Sequence, residues 1–276
     1  MCTAISNWQA FSVLAWNTSR AIRAFCEDIG VTTQESTIDV GRLENALRDD
    51  LNRSARRAMC VLHPVKVVID NWPAGRVEML DFVINPEDPS AGTRKVPFTG
   101  EIFIEREDFA EAPPKKFFRL APGQEVRLRW AYFITCTGIE KDDAGNITAV
   151  RATYDPATRG GDAPLGPDGK PTKKVKGTLH WISAAHAARG TVRLFDRLFS
   201  AEEPGKRTGN QLDDLNPNSL ETVEALLDPA IIDAAPGETF QFERLGYFCV
   251  DKDSKPGGAV FNRTVTLKDA WARASA

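Results

Sequence analysis

The stretch GQEVRLRWAYF (123–133) decides the reading of the chain. Val126, Leu128, Trp130 and Tyr132 alternate with Arg127, Arg129, Ala131 and Phe133. Strict alternation is the period of a β-strand, whose side chains point to opposite faces in turn. The pattern predicts one strand running on to Ile134, with Arg127 and Arg129 on the same face. Two guanidinium groups side by side repel each other. Either this is an ordinary solvated strand face, or the two arginines await something that relieves the repulsion.

Working outward, segments of the same texture follow one another after Cys60. They are VKVVI (65–69), GEIFIE (100–105), EVRLRWAYFI (125–134), ITAVRATY (147–154), KVKGTLHWI (174–182), TVRLFDRLF (191–199), ETFQFERLGYFCV (238–250) and AVFNRTVTL (259–267). Gly, Pro, Asn and Asp separate them, and Asp143-Ala144-Gly145-Asn146 is a hairpin turn. Many short strands with turn signals point to sandwiches or barrels, and the span is too long for one small barrel. RGGDAPLGPDGKP (159–171) reads as a surface loop, and 201–219 as irregular. The first 58 or so residues read as helical. Ile22, Phe25 and Cys26 sit at helical spacing before a stop at Gly30. Asp39 then caps a second helix with Leu43, Leu47 and Leu51 on one stripe and a Glu44–Arg48 pair on the solvent side. The fold class is mainly β with an N-terminal α-helical segment.

Composition narrows the function. The 276 residues are 42% hydrophobic and 26% charged, which is ordinary for a globular chain, and the net charge is −3. A nucleic-acid site would therefore have to be a local patch. Cys2, Cys26, Cys60, Cys136 and Cys249 are odd in number and form no CxxC pair, which fits a reducing cytosol and a cytoplasmic location. The apolar patch at 11–16 has no basic residue before it, so no signal peptide is expected. No run approaches the roughly 20 apolar residues of a membrane span. Gly169-Lys170 fails as a nucleotide loop, because Pro164 stands where the first glycine belongs and Pro171 follows the lysine. His63, His180 and His186 have no partners at zinc-ligand spacing, and there is no G-x-S-x-G elbow. No catalytic residue, metal site or cofactor is expected in this chain.

What stands out is PPKKFFRLAPGQEVRLRW (113–130). Lys115, Lys116, Arg119, Arg127 and Arg129 face one acid, Glu125, for a local charge of 5 − 1 = +4, with Phe117, Phe118 and Trp130 interleaved. Guanidinium groups can grip a guanine edge with two hydrogen bonds, and rings can stack on unpaired bases. Such a β surface suits splayed-out single-stranded RNA. The plainer reading is a solvated strand face whose rings belong to the core.

Several long segments, in order, resemble a known family. PVKVVIDNW (64–72), KVPFTGEIFIEREDF (95–109), KKFFRLAPGQEVRLR (115–129), KVKGTLHWISAAHA (174–187), RLFDRLFS (193–200), FQFERLGYFCVD (240–251) and FNRTVTLKDAW (261–271) look like the C-terminal half of glutaminyl-tRNA synthetases. Residues 22–59 are similar to the helical subdomain that leads into that family's anticodon-binding barrels. Archaeal and eukaryotic glutamyl-tRNA synthetases share the architecture, but FCEDIGVTTQESTI and GTLHWISAAHA look closer to the glutaminyl form. The resemblance implies two β-barrels of the ribosomal-protein-like anticodon-binding type. The proximal one would come from 59–112 plus 225–276, the distal one from about 113–224, with 1–58 as the helical subdomain and 1–19 unlike the family.

The implied partner is the anticodon loop of glutamine tRNA, which reads pyrimidine, U, G. Carried over by position, Arg57 of SARRAM and Gln241 of FQFER hold the middle U, with Lys116 beside them. Arg119 of FFRL reads the G, Arg127 and Arg129 meet the first base and its phosphate, and Arg244 contacts backbone. Phe118 and Ala270 depart from the family, which has lysine and threonine at those places in some members. The family's ATP- and Mg-dependent chemistry needs an H-x-G-H motif and an M-S-K loop, and neither occurs here. The expectation is a monomeric, catalytically inactive part of a ligase whose catalytic domain lies upstream. A free-standing RNA binder without anticodon discrimination, or a protein–protein module, are the alternatives.

Overall fold

The computed structural model describes residues 18–30, 38–201 and 203–268. The apolar patch at 11–16, Cys2 and Ala270 lie outside them. Thr18 opens the first helix, α1 (Ser19–Ile29), by accepting a hydrogen bond from the Ala21 amide at 3.2 Å. Gly30 closes it at φ 70°, donating its N–H to the Cys26 carbonyl. Asp39 caps α2 (Val40–Ser54) through the Gly41 amide at 2.8 Å. Ala21 and Phe25 of α1 pack on Leu43, Leu47 and Leu51 of α2, together with Tyr247 and Val265. The Glu44–Arg48 pair forms at 2.8 Å, but both side chains are largely covered, because Arg48 also donates to the Thr266 carbonyl at 2.7 Å. The solvent-side placement expected for it is thereby corrected.

The chain divides into two compact units. The first holds the described residues up to 58, with 190–224 and those from 233 onward. In it β1 (Arg56–Ala58), β14 (Thr239–Phe242), β15 (Gly246–Val250), β16 (Val260–Thr266), β12 (Ala188–Phe195) and β13 (Leu220–Leu227) lie side by side in that order. β1 runs parallel to β14, and β14, β15 and β16 are antiparallel neighbours. Phe240, Phe242, Phe248 and Phe261 interlock on this sheet, with Phe242 and Phe248 stacked at 4.3 Å.

The second unit holds 59–189 and 225–232. Its sheet orders β10 (Thr178–Leu179), β7 (Glu125–Leu128), β8 (Phe133–Lys141), β9 (Ile147–Asp155), β3 (Pro64–Ile69), β6 (Glu101–Glu105) and β11 (Ile182–Ser183). A hairpin of β4 (Glu78–Val83) and β5 (Thr93–Phe98) stands apart from that sheet. β2 (Cys60–Val61) pairs with Leu226 and Leu227, the end of β13, which fall within this second unit. Trp72, Phe98, Tyr132, Tyr154 and Trp181 make edge-on and tilted contacts in one core. The expected barrel boundary near 113 is not where this division falls. β9 pairs parallel to β3, with Lys66 opposite Ala149, so residues 125–155 share a sheet with 64–105.

Four predicted stretches do not run as single strands, and one of them, 238–250, folds into β14 and β15 around a turn. The stretch 125–134 breaks after Leu128: Ala131 donates to the Leu128 carbonyl, Leu128 to the Tyr132 carbonyl, and β8 starts at Phe133. Trp130 takes the left-handed turn position at φ 60°. In 174–182 only Thr178–Leu179 and the start of β11 pair, and β12 ends at Phe195 rather than 199. The loop at 159–171 and the irregular region after 200 are as expected, apart from a short 3-10 turn at Gln211–Asp214.

Candidate nucleic-acid interface

In the second unit the basic stretch folds around Gly177. The Arg127 amide donates to the Gly177 carbonyl at 2.9 Å, while a Cβ on Gly177 would stand 2.1 Å from the Phe118 carbonyl oxygen. Residues 117–119 and 125–129 therefore flank one segment. Arg119 is held in place rather than loose. Its Nε meets Asp108 at 3.3 Å, and its Nη1 donates to the Glu107 carbonyl at 2.9 Å. Asp108 is buried, and its carbonyl accepts from the Leu120 amide. Nη2 has no partner among the described residues, so the end of the guanidinium is presented to solvent with its plane fixed.

Arg127 lies opposite Phe133 in the β7–β8 register, with its guanidinium 5.6 Å from that ring and 3.8 Å from Asp162. Arg129 follows the strand end and covers Trp130 at 4.6 Å. Each arginine spreads over an aromatic ring, which eases the repulsion expected of a shared strand face. Glu125, the one acid of the stretch, is taken up by Lys173 at 2.6 Å. Burial pushes the Lys173 ammonium down, but Asp155 and Glu125 outweigh that and hold it above its ordinary value. Lys116 is exposed on a turn at φ 66°.

In the first unit Arg57 and Gln241 are direct neighbours across the β1–β14 pairing. Arg57 is almost wholly buried. Its Nη2 donates to the Asn52 side chain at 2.8 Å and its Nη1 to the Ala55 carbonyl at 3.2 Å. The end of α2 thus orients the guanidinium beside Gln241. The Gln241 Oε1 is a buried acceptor with no donor among the described residues. Arg244 sits three residues on, at φ 68° in the turn between β14 and β15. Lys116, Trp130 and Arg244 are the only non-glycine residues in the left-handed region among those described. Such strain costs about 1–3 kcal/mol per residue and gathers at functional sites.

Sequence reasoning picked out the cations and missed the groups that hold them. Asp108 sits in EREDF and Asn52 in DLNRS, polar residues with nothing in their local pattern to mark them. The folding of 106–110 against 119–120 gives Asp108 its role, and the turn from the end of α2 into β1, which brings Arg57 back over Asn52 five residues before it, gives Asn52 its own.

Comparison with known proteins gives a consistent answer. Residues 55–155 match the family described as tRNA synthetases class I (E and Q), anti-codon binding domain, and residues 178–251 match a second family of the same description. The chain belongs to the anti-codon binding region of the class I E and Q tRNA synthetases. It is 52% identical over 261 residues to the Glutamine–tRNA ligase of Rhodopirellula baltica, covering 94% of this chain and 42% of that protein. It is 50% identical over 258 residues to the Glutamine–tRNA ligase of Nitrobacter hamburgensis, covering 94% and 45%. A third, from Ralstonia pickettii, is 51% identical over 257 residues. The chain spans less than half the length of these relatives.

All seven candidate positions fall inside the two anti-codon binding spans. Arg57, Lys116, Arg119, Arg127 and Arg129 lie in the first, and Gln241 and Arg244 in the second. Among the described residues no group of three or more His, Cys, Asp or Glu side chains is arranged to hold a metal. No helix among them is long and apolar enough to cross a membrane.

Proposed function

We propose that this chain reads the anticodon loop of glutamine tRNA as part of a glutamine–tRNA ligase. The observation that carries the reading is the presentation of Arg119: a buried carboxylate and a backbone carbonyl fix the guanidinium and leave its end for a base. A guanine edge offers O6 and N7 as two adjacent acceptors, and a guanidinium whose plane is already set grips both with little further ordering. At the middle position, uracil supplies both kinds of group. Its N3–H can donate to the unfilled Oε1 of Gln241, and its carbonyl oxygens can accept from Arg57. Filling that acceptor removes a buried, unsatisfied group that otherwise costs about 1–3 kcal/mol. Arg127 and Arg129 take the first base and its phosphate, with Arg127 exchanging Asp162 for RNA. Lys116 and Arg244 meet nearby groups of the loop. The ligation itself, with ATP and Mg, belongs to the ligase outside this chain's residues. The chain acts as a monomer in the cytoplasm and carries no catalytic group of its own.

The test is binding of anticodon stem-loops that differ only at the second or third anticodon base, read by fluorescence anisotropy. The native triplet binds tightest, and Arg119→Ala weakens it by about 1–3 kcal/mol while flattening the preference at the third base. An equal loss for all four third bases would remove Arg119 from base reading.

A further inference from the structure

Phe118 is half exposed, and it is the only exposed Phe, Tyr or Trp among the described residues. Every other Phe, Tyr and Trp described is buried or partly covered. It does not sit in a neutral surface. The ammonium of Lys176 lies 4.7 Å from its ring centroid. Lys115, Lys116 and Lys174 are exposed close by in sequence, without a carboxylate partner among the described residues, and Arg119 follows directly. The backbone that carries the ring is closely packed, because Gly177 backs onto the Phe118 carbonyl at a distance that admits no side chain. An apolar ring left in water has no folding reason to be there, and the Lys176 ammonium against it, with cations close by in sequence, disfavours an apolar protein partner.

We propose that Phe118, with Lys176, is a stacking site for one unpaired nucleobase of the bound RNA loop, adjoining the base that Arg119 reads. The inference rests on the proposed RNA-binding function and adds a contact to it that does not depend on base identity. Every base has a π-face, so a half-exposed ring gains by covering any of them, and purines gain most by area. The Lys176 ammonium beside the ring can meet the phosphate of the same nucleotide, so stacking and charge come from one residue of RNA. A lysine at position 118 could supply only the charge.

The experiment uses this chain and the glutamine anticodon stem-loop, with each loop nucleotide replaced in turn by an abasic one. Phe118→Leu keeps apolar bulk and removes the ring, and Phe118→Trp enlarges it. The expected result is roughly a tenfold weaker Kd for Phe118→Leu, with Phe118→Trp equal to or tighter than wild type. One abasic position should weaken wild type by a similar factor and leave Phe118→Leu unchanged. Equal Kd values for wild type and Phe118→Leu, beside a large loss for Arg119→Ala, would overturn the stacking site and leave the proposed function standing. No binding by wild type up to about 100 μM at low salt would overturn both.

Discussion

Glu105 shows how one residue can carry both fold and pH dependence. It is buried at the end of β6 and meets three hydrogen-bonding groups, the amides of Leu62 and His63, at 2.7 and 3.0 Å, and the ring of His180 at 3.4 Å, with the Cys60 thiol in its field. Burial pushes its carboxyl up, but His180 and then the two amides outweigh that and hold it below the ordinary carboxylate value. Burial, and then Glu105, push the Cys60 thiol well up, which keeps that cysteine protonated and unreactive. A depressed carboxyl contributes stability that is fully present above its unfolded value of about 4.3 and is lost as pH falls through the folded one. Glu105→Gln should therefore lower stability by about 2–4 kcal/mol near neutral pH, since an amide cannot accept from both backbone donors and His180 together. The gap between variant and wild type should stay level from about pH 7 to 5 and shrink below about pH 4. Urea titrations across that range read it directly. A gap of the same size at the acid end would mean that the carboxylate charge contributes nothing.

At the scale of elements, the two helices were legible because their signals are local: a cap, an apolar stripe and a glycine stop. The hairpin inside 123–133 was not. No Gly, Asn or Asp marks its turn, and the left-handed position is filled by Trp130, a residue with strong strand preference. Packing decides instead, since the Trp130 ring lies edge-on to Phe82 at 6.2 Å and under Arg129. The segment 174–177 misled in the opposite way, alternating like a strand while pairing only from Thr178 onward. Its role is a close approach. The side chain of Gly177→Ala would meet the Phe118 carbonyl oxygen at 2.1 Å and Val126 at 3.3 Å, and the first of these is backbone that can give only by moving 117–119. The substitution should cost about 1–3 kcal/mol, seen as a lower urea midpoint at unchanged slope. Where the variant remains folded it should also weaken RNA binding, because Phe118 and Arg119 move with that carbonyl. A change within about 0.5 kcal/mol would show that the two segments do not touch.

For the whole molecule, topology was the least legible part, because parallel pairs such as β3 with β9 and β1 with β14 join residues far apart in sequence. Strand texture announces that sheets exist, and only long-range register says which strands share one. The candidate cations were legible through their clustering and through family resemblance, whereas their partners, the buried Asp108 and the half-buried Asn52, were not. Charge is the other property of this scale. A net −3 repels RNA weakly at a distance, yet screening reduces charge effects beyond about 10 Å at 0.1 M salt, so a bound strand feels the local +4 of 113–130 rather than the total. If the exposed ammonium groups of Lys115, Lys116, Lys174 and Lys176 each meet one phosphate, log K should fall against log salt with a slope near −3, at about 0.7 per phosphate on a single strand. Neutralising Lys115 and Lys174 together should flatten the slope by about 1.4 and leave the ranking of anticodon variants unchanged. Arg119→Ala should do the reverse, disturbing the ranking more than the slope. Anisotropy titrations at a series of salt concentrations separate the two effects. A slope near zero in wild type would place RNA contact on uncharged groups and detach the basic stretch from the binding surface.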